Sequence, residues 1–258
     1  MKQSTFVTIV VFTAIVVGII VWWFILGSPA NFFDGANRMK PNNLMGMMFT
    51  GGYIVPVLIA LSIMVITFII ERTLSLKKAQ GRGSLATFLK NVQKNLVDGN
   101  IEAAMKECEK QRGSMANILR AGLDRYNTLA KESKAMEAEK QMSEVQRAIE
   151  EATALEMPLL EKNLIILSTI ASIATMLGLL GTVIGMIRAF QALARAGAPD
   201  AIALSIGISE ALVNTALGIF AAIVGIVAYN FFVNKVDTFT YMIDEASFDM
   251  IQTLKVKQ

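Results

Sequence analysis

The sequence predicts an all-α, polytopic membrane helical bundle with long helices that extend into the cytoplasm. The first observation is composition, since 54% of the 258 residues are hydrophobic and only 17% are charged. The second is that apolar residues form four long runs. Each run has about 18 residues or more, enough for a helix to cross about 30 Å of hydrocarbon. The runs are Phe6–Leu26, Tyr53–Ile70, Leu164–Ile187 and Ala201–Phe232.

The first run could be a membrane anchor or a signal peptide, because both are apolar stretches that follow a basic residue. A signal peptide has an apolar core of about 7–15 residues, whereas Phe6–Leu26 has 21 residues. The small residues Ser28-Pro29-Ala30 form a poor cleavage site. Trp22 and Trp23 lie where an interfacial aromatic belt is expected. We therefore predict a retained membrane anchor.

The distribution of basic residues predicts how the spans are oriented. Glu71–Lys162 contains 16 of the 24 Lys and Arg residues, whereas Asn31–Thr50 contains two and Ala189–Asp200 contains one. Basic residues stay on the cytoplasmic side of a membrane. We therefore expect the long segment and both termini to be cytoplasmic. The small positive net charge is a signal of topology and does not indicate nucleic-acid binding.

The fourth apolar run is longer than a bilayer requires, so its helix is expected to tilt or protrude.

These observations divide the chain into eight segments. The segments are 1–27, an N-terminal transmembrane anchor; 28–52, a periplasmic loop; 53–70, a transmembrane helix; 71–162, a cytoplasmic helical domain; 163–188, a transmembrane helix; 189–200, a periplasmic loop; 201–233, a transmembrane helix; and 234–258, a cytoplasmic C-terminal helix.

Helix signals recur through the predicted cytoplasmic domain. Ser84 precedes apolar residues at helical spacing, and Asp98-Gly99 ends that pattern. Asn100 is expected to cap a helix over Ile101–Lys110, and Ser114 to cap the next.

A further helical pattern begins at about Ser133 and runs to Phe190. Its one obstacle is Pro158, and a proline inside a helix removes a hydrogen bond and usually bends the helix. We therefore predict one very long helix that enters the membrane from the cytoplasm and bends near Pro158.

The composition also excludes several kinds of chemistry. The chain has no His, which removes imidazole relays, imidazole metal ligands and Ser-His-Asp catalysis. The single Cys108 excludes an intramolecular disulfide and a multi-thiolate metal site. Neither GxxxxGK[ST] nor GxGxxG occurs, so no phosphate loop is expected. We predict that the protein is not an enzyme and has no metal or other cofactor.

Glu210 is the only acidic residue inside the four apolar runs. A carboxylate in a membrane span costs about 2.5–3.5 kcal/mol on insertion scales. One interpretation is a protonated carboxyl that joins helices, and the other is an ion or proton site within a bundle. Asn214 is one turn away on roughly the same face, whereas Thr215 lies about 140° round the helix. Glu210 and Thr215 are therefore expected to serve different surfaces.

The third run carries a seam of hydroxyl side chains. Ser168, Thr175 and Thr182 are seven residues apart, so each lies about 20° round the helix from the last. Small residues let helix backbones approach closely in lipid, and packing accounts for the glycines better than for the hydroxyl seam. The glycines predicted to pack helices are Gly178, Gly181, Gly185, Gly207 and Gly218.

Two stretches of sequence resemble a known family. LGLLGTVIGMIRAF at residues 177–190 resembles one signature of the MotA/TolQ/ExbB proton-channel family, and ISEALVNTALG at residues 208–218 resembles its companion signature. The pair is specific and resembles the ExbB/TolQ branch more than the MotA branch. The resemblance covers about residues 53–236.

The resemblance implies a ring-forming homo-oligomer, a pentamer in the family, in the bacterial inner membrane. Such a ring surrounds a dimer of ExbD/TolR-like single-span proteins, and ion flow drives a TonB-like periplasmic effector. Thr182 and Thr215 match the family's pore-lining threonines, and Glu210 matches its functional glutamate. The mobile proton carrier is then an Asp of the partner. The ion pathway predicted in this way consists of Glu210, Thr182, Thr215, Asn214, Thr175 and Ser168.

Two residues depart from the family pattern. Pro commonly stands in place of Thr175, and a small residue in place of Asn214. The predicted function is an ion channel subunit, for protons in the first instance, that couples the proton-motive force to outer-membrane transport. The alternatives are a stator subunit of a motility motor and a non-conducting membrane scaffold.

Overall fold

The computed structural model describes residues 3–132, 138–194 and 200–256. The described residues form helices and connecting turns without a β-strand, and one isolated bridge joins Phe32 to Pro41. The predicted all-α fold class is confirmed. The chain divides into a first unit, Met1–Ile70 with Asn163–Asn230, and a second unit, Glu71–Lys162 with Phe231–Gln258.

The described part of the chain has nine α-helices. A π-helical turn, Val21–Leu26, directly continues the first of them. The helices are α1 (Gln3–Ile20), α2 (Leu44–Thr50), α3 (Val55–Gln80), α4 (Leu85–Val97), α5 (Ile101–Gln111), α6 (Ser114–Glu132), α7 (Ala138–Glu161), α8 (Leu164–Leu193) and α9 (Ala201–Val256).

Four helical stretches of the described chain are long and apolar enough to cross a membrane, the same number that the sequence predicts. The fourth is α9, whose 56 residues form one continuous helix. At about 1.5 Å per residue its length is about 84 Å, well beyond the thickness of a bilayer core. The four stretches are Thr5–Leu26, Gly52–Val97, Ala138–Leu193 and Ala201–Val256.

In the first unit, α1 packs closely along α3. A Cβ added to Gly18 would lie 3.3 Å from the backbone nitrogen of Ala60, so the helix backbones almost touch there. Further along the same contact, the rings of Phe6 and Phe68 meet edge to face with centroids 6.4 Å apart. A small residue at the crossing permits this approach.

The connection that follows α1 is an ordered structure built around Phe49 of α2. The ring of Trp22 stacks on the ring of Phe49, with centroids 4.7 Å apart. Nε1 of Trp22 also donates to the carbonyl of Phe49 at 3.4 Å. The buried Asn31 donates to the carbonyls of Ile25 and Leu26 at 2.8 and 3.0 Å. These contacts fix the position of the turn between α2 and α3, which carries part of the candidate site.

In the second unit, the predicted bounds of α4 and the predicted cap of α5 are confirmed. Ser84 directly precedes α4, and Gly99, with φ of 77°, follows its last turn. The side chain of Asn100 accepts from the backbone nitrogen of Ala103 at 2.9 Å, which caps α5. Ser114 is the first residue of the next helix, α6, so the prediction that it precedes and caps this helix is wrong by one residue. The local signals of capping and turn residues therefore suffice to place these helices.

The prediction of one very long helix that runs to Phe190 is wrong, because α7 ends at Glu161 and α8 begins at Leu164. Pro158 lies inside α7, which continues to Glu161, and the chain leaves the helix instead at Asn163. Asn163 has φ of 61°, a left-handed conformation that Asn tolerates better than most other residues. The predicted start at Ser133 lies outside the described residues.

Candidate functional site

Helices α8 and α9 approach each other through small residues. A Cβ added to Gly185 would lie 2.5 Å from the backbone nitrogen of Ala211. One added to Gly207 would lie 2.6 Å from the backbone nitrogen of Ala189. Neither position could carry a side chain without separating the two helices.

The same contact continues along the two helices at the other predicted packing glycines. A Cβ on Gly218 would lie 2.8 Å from Cα of Gly178, so these two backbones also nearly touch. Gly181 faces the side chain of Asn214, which occupies the space that a side chain at position 181 would need. All five of the predicted packing glycines therefore lie where α8 meets α9.

Thr182 of α8 and Thr215 of α9 form a hydroxyl pair in this contact. Their Oγ1 atoms are 2.7 Å apart. Each hydroxyl can also donate to a carbonyl of its own helix, Thr182 to Gly178 and Thr215 to Ala211, both at 3.1 Å. A hydroxyl has one proton to donate and can accept others. Either threonine can therefore donate to its partner while the other bonds to backbone, and both are half-buried.

The two remaining hydroxyls of the seam do not join this pair. Thr175 donates to the carbonyl of Ala171 at 3.1 Å, and the carbonyl of Ser168 accepts from Ser172 at 3.1 Å. Both seam residues are half-buried on α8. Among the described residues, no hydrogen bond connects the side chain of either one to Thr182.

Glu210 forms an ion pair with Arg188 of α8. Nη1 of Arg188 donates to Oε1 and Oε2 of Glu210 at 2.7 and 2.6 Å. The two ends of the pair differ in exposure, since the side chain of Glu210 is 3% exposed and that of Arg188 is 48% exposed. Charge-assisted bonds of this kind are short and strong. The pair is a dipole whose negative end is buried and whose positive end faces outward.

Sequence reasoning missed Arg188 because it lies just beyond the apolar run that ends at Ile187. The contact between Gly185 and Ala211 contains the signal that could have found it. In an antiparallel helix pair with that contact, a residue one turn after Gly185 lies beside a residue just before Ala211. That geometry brings Arg188 to Glu210.

Gly52, in the turn between α2 and α3, forms a wall of the ion pair. Its φ is 75°, a conformation that favours glycine. A Cβ at this position would lie 2.5 Å from Oε1 of Glu210 and 3.5 Å from Nη1 of Arg188. The absence of a side chain at Gly52 therefore leaves the space that the carboxylate occupies.

Asn214 and Ser209 attach α9 to the same turn. Nδ2 of Asn214 donates to the carbonyl of Gly51 at 2.8 Å. The hydroxyls of Ser209 and Thr50 lie 3.3 Å apart. Asn214 is completely buried, and its Oδ1 has no hydrogen-bond partner among the described residues. Its amide therefore holds the turn against α9 and leaves one acceptor within the helix contact.

Glu210 and Thr215 have different partners, as their helical spacing predicts. Glu210 contacts Arg188 and the turn at Gly52, whereas Thr215 contacts Thr182 and the backbone of α8. Along α9 the two residues are separated by about 7.5 Å of helical rise. The α8–α9 contact thus has a charged site and a hydroxyl site close together.

The described residues contain no group of three or more His, Cys, Asp and Glu side chains that could hold a metal ion. The chemistry available at this contact is therefore that of hydroxyls, an amide and one ion pair. Such groups can hold, orient or stabilise a proton or a small cation by hydrogen bonding and charge.

Comparison with known proteins gives one family match. The model of the family described as the MotA/TolQ/ExbB proton channel family matches residues 110–245, which include both helices of the candidate site. The chain is 36% identical over 115 residues to the Tol-Pal system protein TolQ of Pseudomonas aeruginosa, covering 45% of this chain and 49% of that protein.

Two further relatives bear names of the same kind. The biopolymer transport protein ExbB of Xanthomonas campestris pv. campestris is 35% identical over 104 residues, which are 38% of this chain and 41% of that protein. A putative ExbB homologue of Methanothermobacter thermautotrophicus is 29% identical over 195 residues, which are 75% of this chain and 64% of that protein. The chain spans about half the length, or less, of most of the curated relatives that it matches.

Proposed function

The chain belongs to the MotA/TolQ/ExbB proton channel family, and from that premise we propose that it conducts protons as a subunit of an energy-transducing motor. The motor lies in the bacterial inner membrane. This subunit crosses the membrane several times, and both of its termini are in the cytoplasm. Four helices of sufficient length and the concentration of basic residues between the second and third spans support this placement.

The observation that carries the proposal is the hydroxyl pair of Thr182 and Thr215. The two hydroxyl oxygens are 2.7 Å apart, and both side chains are half-buried between membrane-spanning helices. Packing alone does not require these hydroxyls, because alanine would pack as closely without a polar group to satisfy. Each can donate or accept. The pair can therefore accept a hydrogen bond from a protonated group beside it and donate one to the same group after its proton has left.

The ion pair of Arg188 and Glu210 supplies charge to the same pathway. Its buried end is the carboxylate, and its half-exposed end is the guanidinium. The buried negative end of this dipole lowers the energy of a proton near it, by less than an unpaired carboxylate would because the guanidinium offsets part of the charge, and the effect is stronger in a medium of low dielectric constant. In this mechanism Glu210 attracts the proton toward the hydroxyl pair without itself carrying the proton across.

A partner completes the site, because we find among the described residues of one subunit no group that takes up and releases the proton in sequence. We assign that group to an Asp on an ExbD/TolR-like single-span protein whose helix lies against Thr182. Copies of this chain form a closed homo-oligomer, a pentamer, around the partner. Every copy supplies identical groups, so the partner also provides the asymmetry that gives motion a direction. The motion is passed to a TonB-like periplasmic effector that serves outer-membrane transport.

The test is proton uptake into proteoliposomes that contain this chain and its co-expressed single-span partner. Thr182→Val and Thr215→Val retain shape and remove the hydroxyl, so each should lower the proton flux at least tenfold with little change in assembly. Thr169→Val is the matched control on α8, because the hydroxyl of Thr169 bonds only to the carbonyl of Ile165 among the described residues. Its flux should equal that of the unmodified protein.

Two results would contradict the proposal. The first is unchanged proton flux in both valine variants. The second is a Thr182→Cys variant that crosslinks only to other copies of this chain, with no small protein co-purified. If Na⁺ and not H⁺ is conducted at equal driving force, the proposed pathway stands, but the proposal that its ion is the proton is wrong.

A further inference from the structure

The second unit contains a cavity of about 610 Å³ whose lining is strongly basic. Its walls come from the end of α3, the turn between α5 and α6, and the end of α7. One carboxylate lines it, Glu156, and Oε1 of that side chain already accepts from Asn117 at 2.8 Å. The lining cations are Arg72, Lys78, Arg82, Arg112 and Lys162.

A close backbone crossing brings two of these cations together. Gly81 and Gly113 have φ of 82° and 99°, and a Cβ on Gly113 would lie 2.8 Å from the backbone nitrogen of Gly81. The backbone nitrogen of Arg82 donates to the carbonyl of Gln111 at 2.6 Å. The turn after α3 therefore lies directly against the turn before α6, which puts Arg82 and Arg112 in one wall of the cavity.

Arg112 is held in a backbone conformation that is almost confined to glycine. Its φ is 55° and its ψ is 168°. For a residue with a side chain this region costs about 1–3 kcal/mol and persists only where neighbouring structure enforces it. The crossing of the two turns is the neighbouring structure at this point, and Arg112 lines the cavity beside it.

The five cations fall into two kinds. Arg72 is 1% exposed, and it donates to Glu71 at 2.6 and 2.8 Å and to the carbonyl of Leu160 at 3.4 Å. Its position is therefore fixed and its charge is balanced. The other four form no ion pair with any acidic side chain in the described part of the chain. Four unbalanced like charges around one cavity repel each other, and a bound anion would relieve that repulsion.

The positions of the lining residues along the chain indicate which kind of anion binds in the cavity. Arg72 comes two residues after Ile70, where the second apolar run ends, and Lys162 comes two residues before Leu164, where the third begins. Basic residues just beyond membrane spans attract anionic lipid, and guanidinium groups bind phosphate through paired hydrogen bonds. The lining also includes Leu159, which is suited to the apolar part of such a molecule. We propose that this cavity binds the phosphate group of an anionic phospholipid.

This proposal does not depend on ion conduction, and it is tested on the full chain in detergent. Dioctanoyl phosphatidylglycerol is titrated at fixed ionic strength, and binding is measured by native mass spectrometry and by the shift in thermal unfolding. Dioctanoyl phosphatidylcholine and inorganic phosphate are titrated in parallel. Phosphatidylglycerol should bind saturably and at least tenfold more tightly than either of them.

Substitutions of the cavity-lining residues test whether phosphatidylglycerol binds in the cavity. Replacing two cavity cations in Arg82→Gln/Arg112→Gln should weaken binding of phosphatidylglycerol about tenfold or more, because each basic residue near the lipid contributes on the order of fivefold. Lys78→Gln lies away from the backbone crossing and should weaken it about fivefold. Arg147→Gln is the control, since Arg147 is 70% exposed and pairs with Glu151 outside the cavity.

Three outcomes would overturn the proposal. One is equal affinity of the unmodified and cavity variants for phosphatidylglycerol, with Lys78→Gln deciding the matter if the double variant fails to fold. Another is equal affinity for phosphatidylcholine, which would show binding to the acyl chains. The third is equal affinity for inorganic phosphate, which would show that the cavity binds soluble phosphate and that the lipid is not its specific ligand.

Discussion

Two Arg–Glu pairs, one in each unit, differ in the burial of a single partner. In the pair of Arg188 and Glu210 the arginine side chain is 48% exposed and the glutamate 3%. In the pair of Arg125 and Glu144, which joins α6 to α7, the corresponding values are 40% and 30%. The cations are nearly alike, so the comparison isolates the environment of the carboxylate.

The two pairs therefore have different roles. An ion pair in which water reaches both side chains contributes about 0–1 kcal/mol, because water also solvates the two charges when they are apart. Removing one partner of a buried pair leaves a charge without compensation and costs about 3–5 kcal/mol. The pair in the second unit is thus one of several surface contacts between helices. The pair in the first unit holds a charge inside a membrane-spanning contact that would otherwise exclude it.

Arg188→Gln is expected to show the largest difference in stability between the two pairs. The change leaves the buried carboxylate of Glu210 without its cation, so the protein should lose about 2–4 kcal/mol of stability, somewhat less than for a fully buried pair. Thermal unfolding in detergent, together with the fraction of chain recovered as oligomer, measures the loss. Arg125→Gln is the matched control and should cost less than about 1 kcal/mol. Equal losses in the two variants would show that burial of the carboxylate is not decisive.

A second variant tests the wall of the buried pair. Gly52→Ala places a Cβ against Oε1 of Glu210 in a backbone conformation that favours glycine, so it should cost about 1–3 kcal/mol. Gly35→Ala is the control for backbone strain alone, because Gly35 has φ of 56° and nothing within 4 Å of an added Cβ. Unfolding experiments should show a clearly larger loss at position 52. The same loss at both positions would remove Gly52 from the site.

The smallest expected effect concerns the exposed pair and its dependence on pH. The hydrogen bond from Arg125 lowers the pKa of Glu144 below its ordinary value. Its contribution is therefore present above the ordinary pKa of Glu and is lost as the pH falls through the lowered pKa of the folded state. Glu144→Gln should be slightly less stable than the unmodified protein at pH 7, and the two should converge once the pH has fallen below the lowered pKa of Glu144. A difference that grows on acidification would contradict this sign.

Much of the fold follows from local signals in the sequence. The four spans follow from length and hydrophobicity, and α4 and α5 follow from Ser84 and Asn100, because capping acts within one helical turn. The break at Asn163 was not predictable in this way. Pro158 is the stronger helix breaker by residue type, but α7 continues past it, and the left-handed residue lies five positions later.

The candidate site was predictable only in part. Glu210, Thr182 and Thr215 stand out because a polar group in an apolar run needs a partner. Which partner each one has depends on the register of α8 against α9, and periodicity on either helix does not contain that register. Arg188 is 22 positions from Glu210, and Gly52 comes from a different part of the chain. These contacts depend on how the helices pack against each other, which the residue pattern of a single helix does not determine.

Whether the charge at Glu210 drives conduction, beyond holding helices together, is tested most directly by the neutral double variant Arg188→Gln/Glu210→Gln. This variant retains the size of both side chains and removes both charges, so it should assemble with the partner as the unmodified protein does. Proton uptake into proteoliposomes is then compared with that of Arg125→Gln/Glu144→Gln, which removes the exposed pair. We predict that the double variant at positions 188 and 210 retains less than about a tenth of the proton flux, while the control retains nearly all of it. Full flux from an assembled Arg188→Gln/Glu210→Gln protein would contradict the account, because the buried pair would then be only structural.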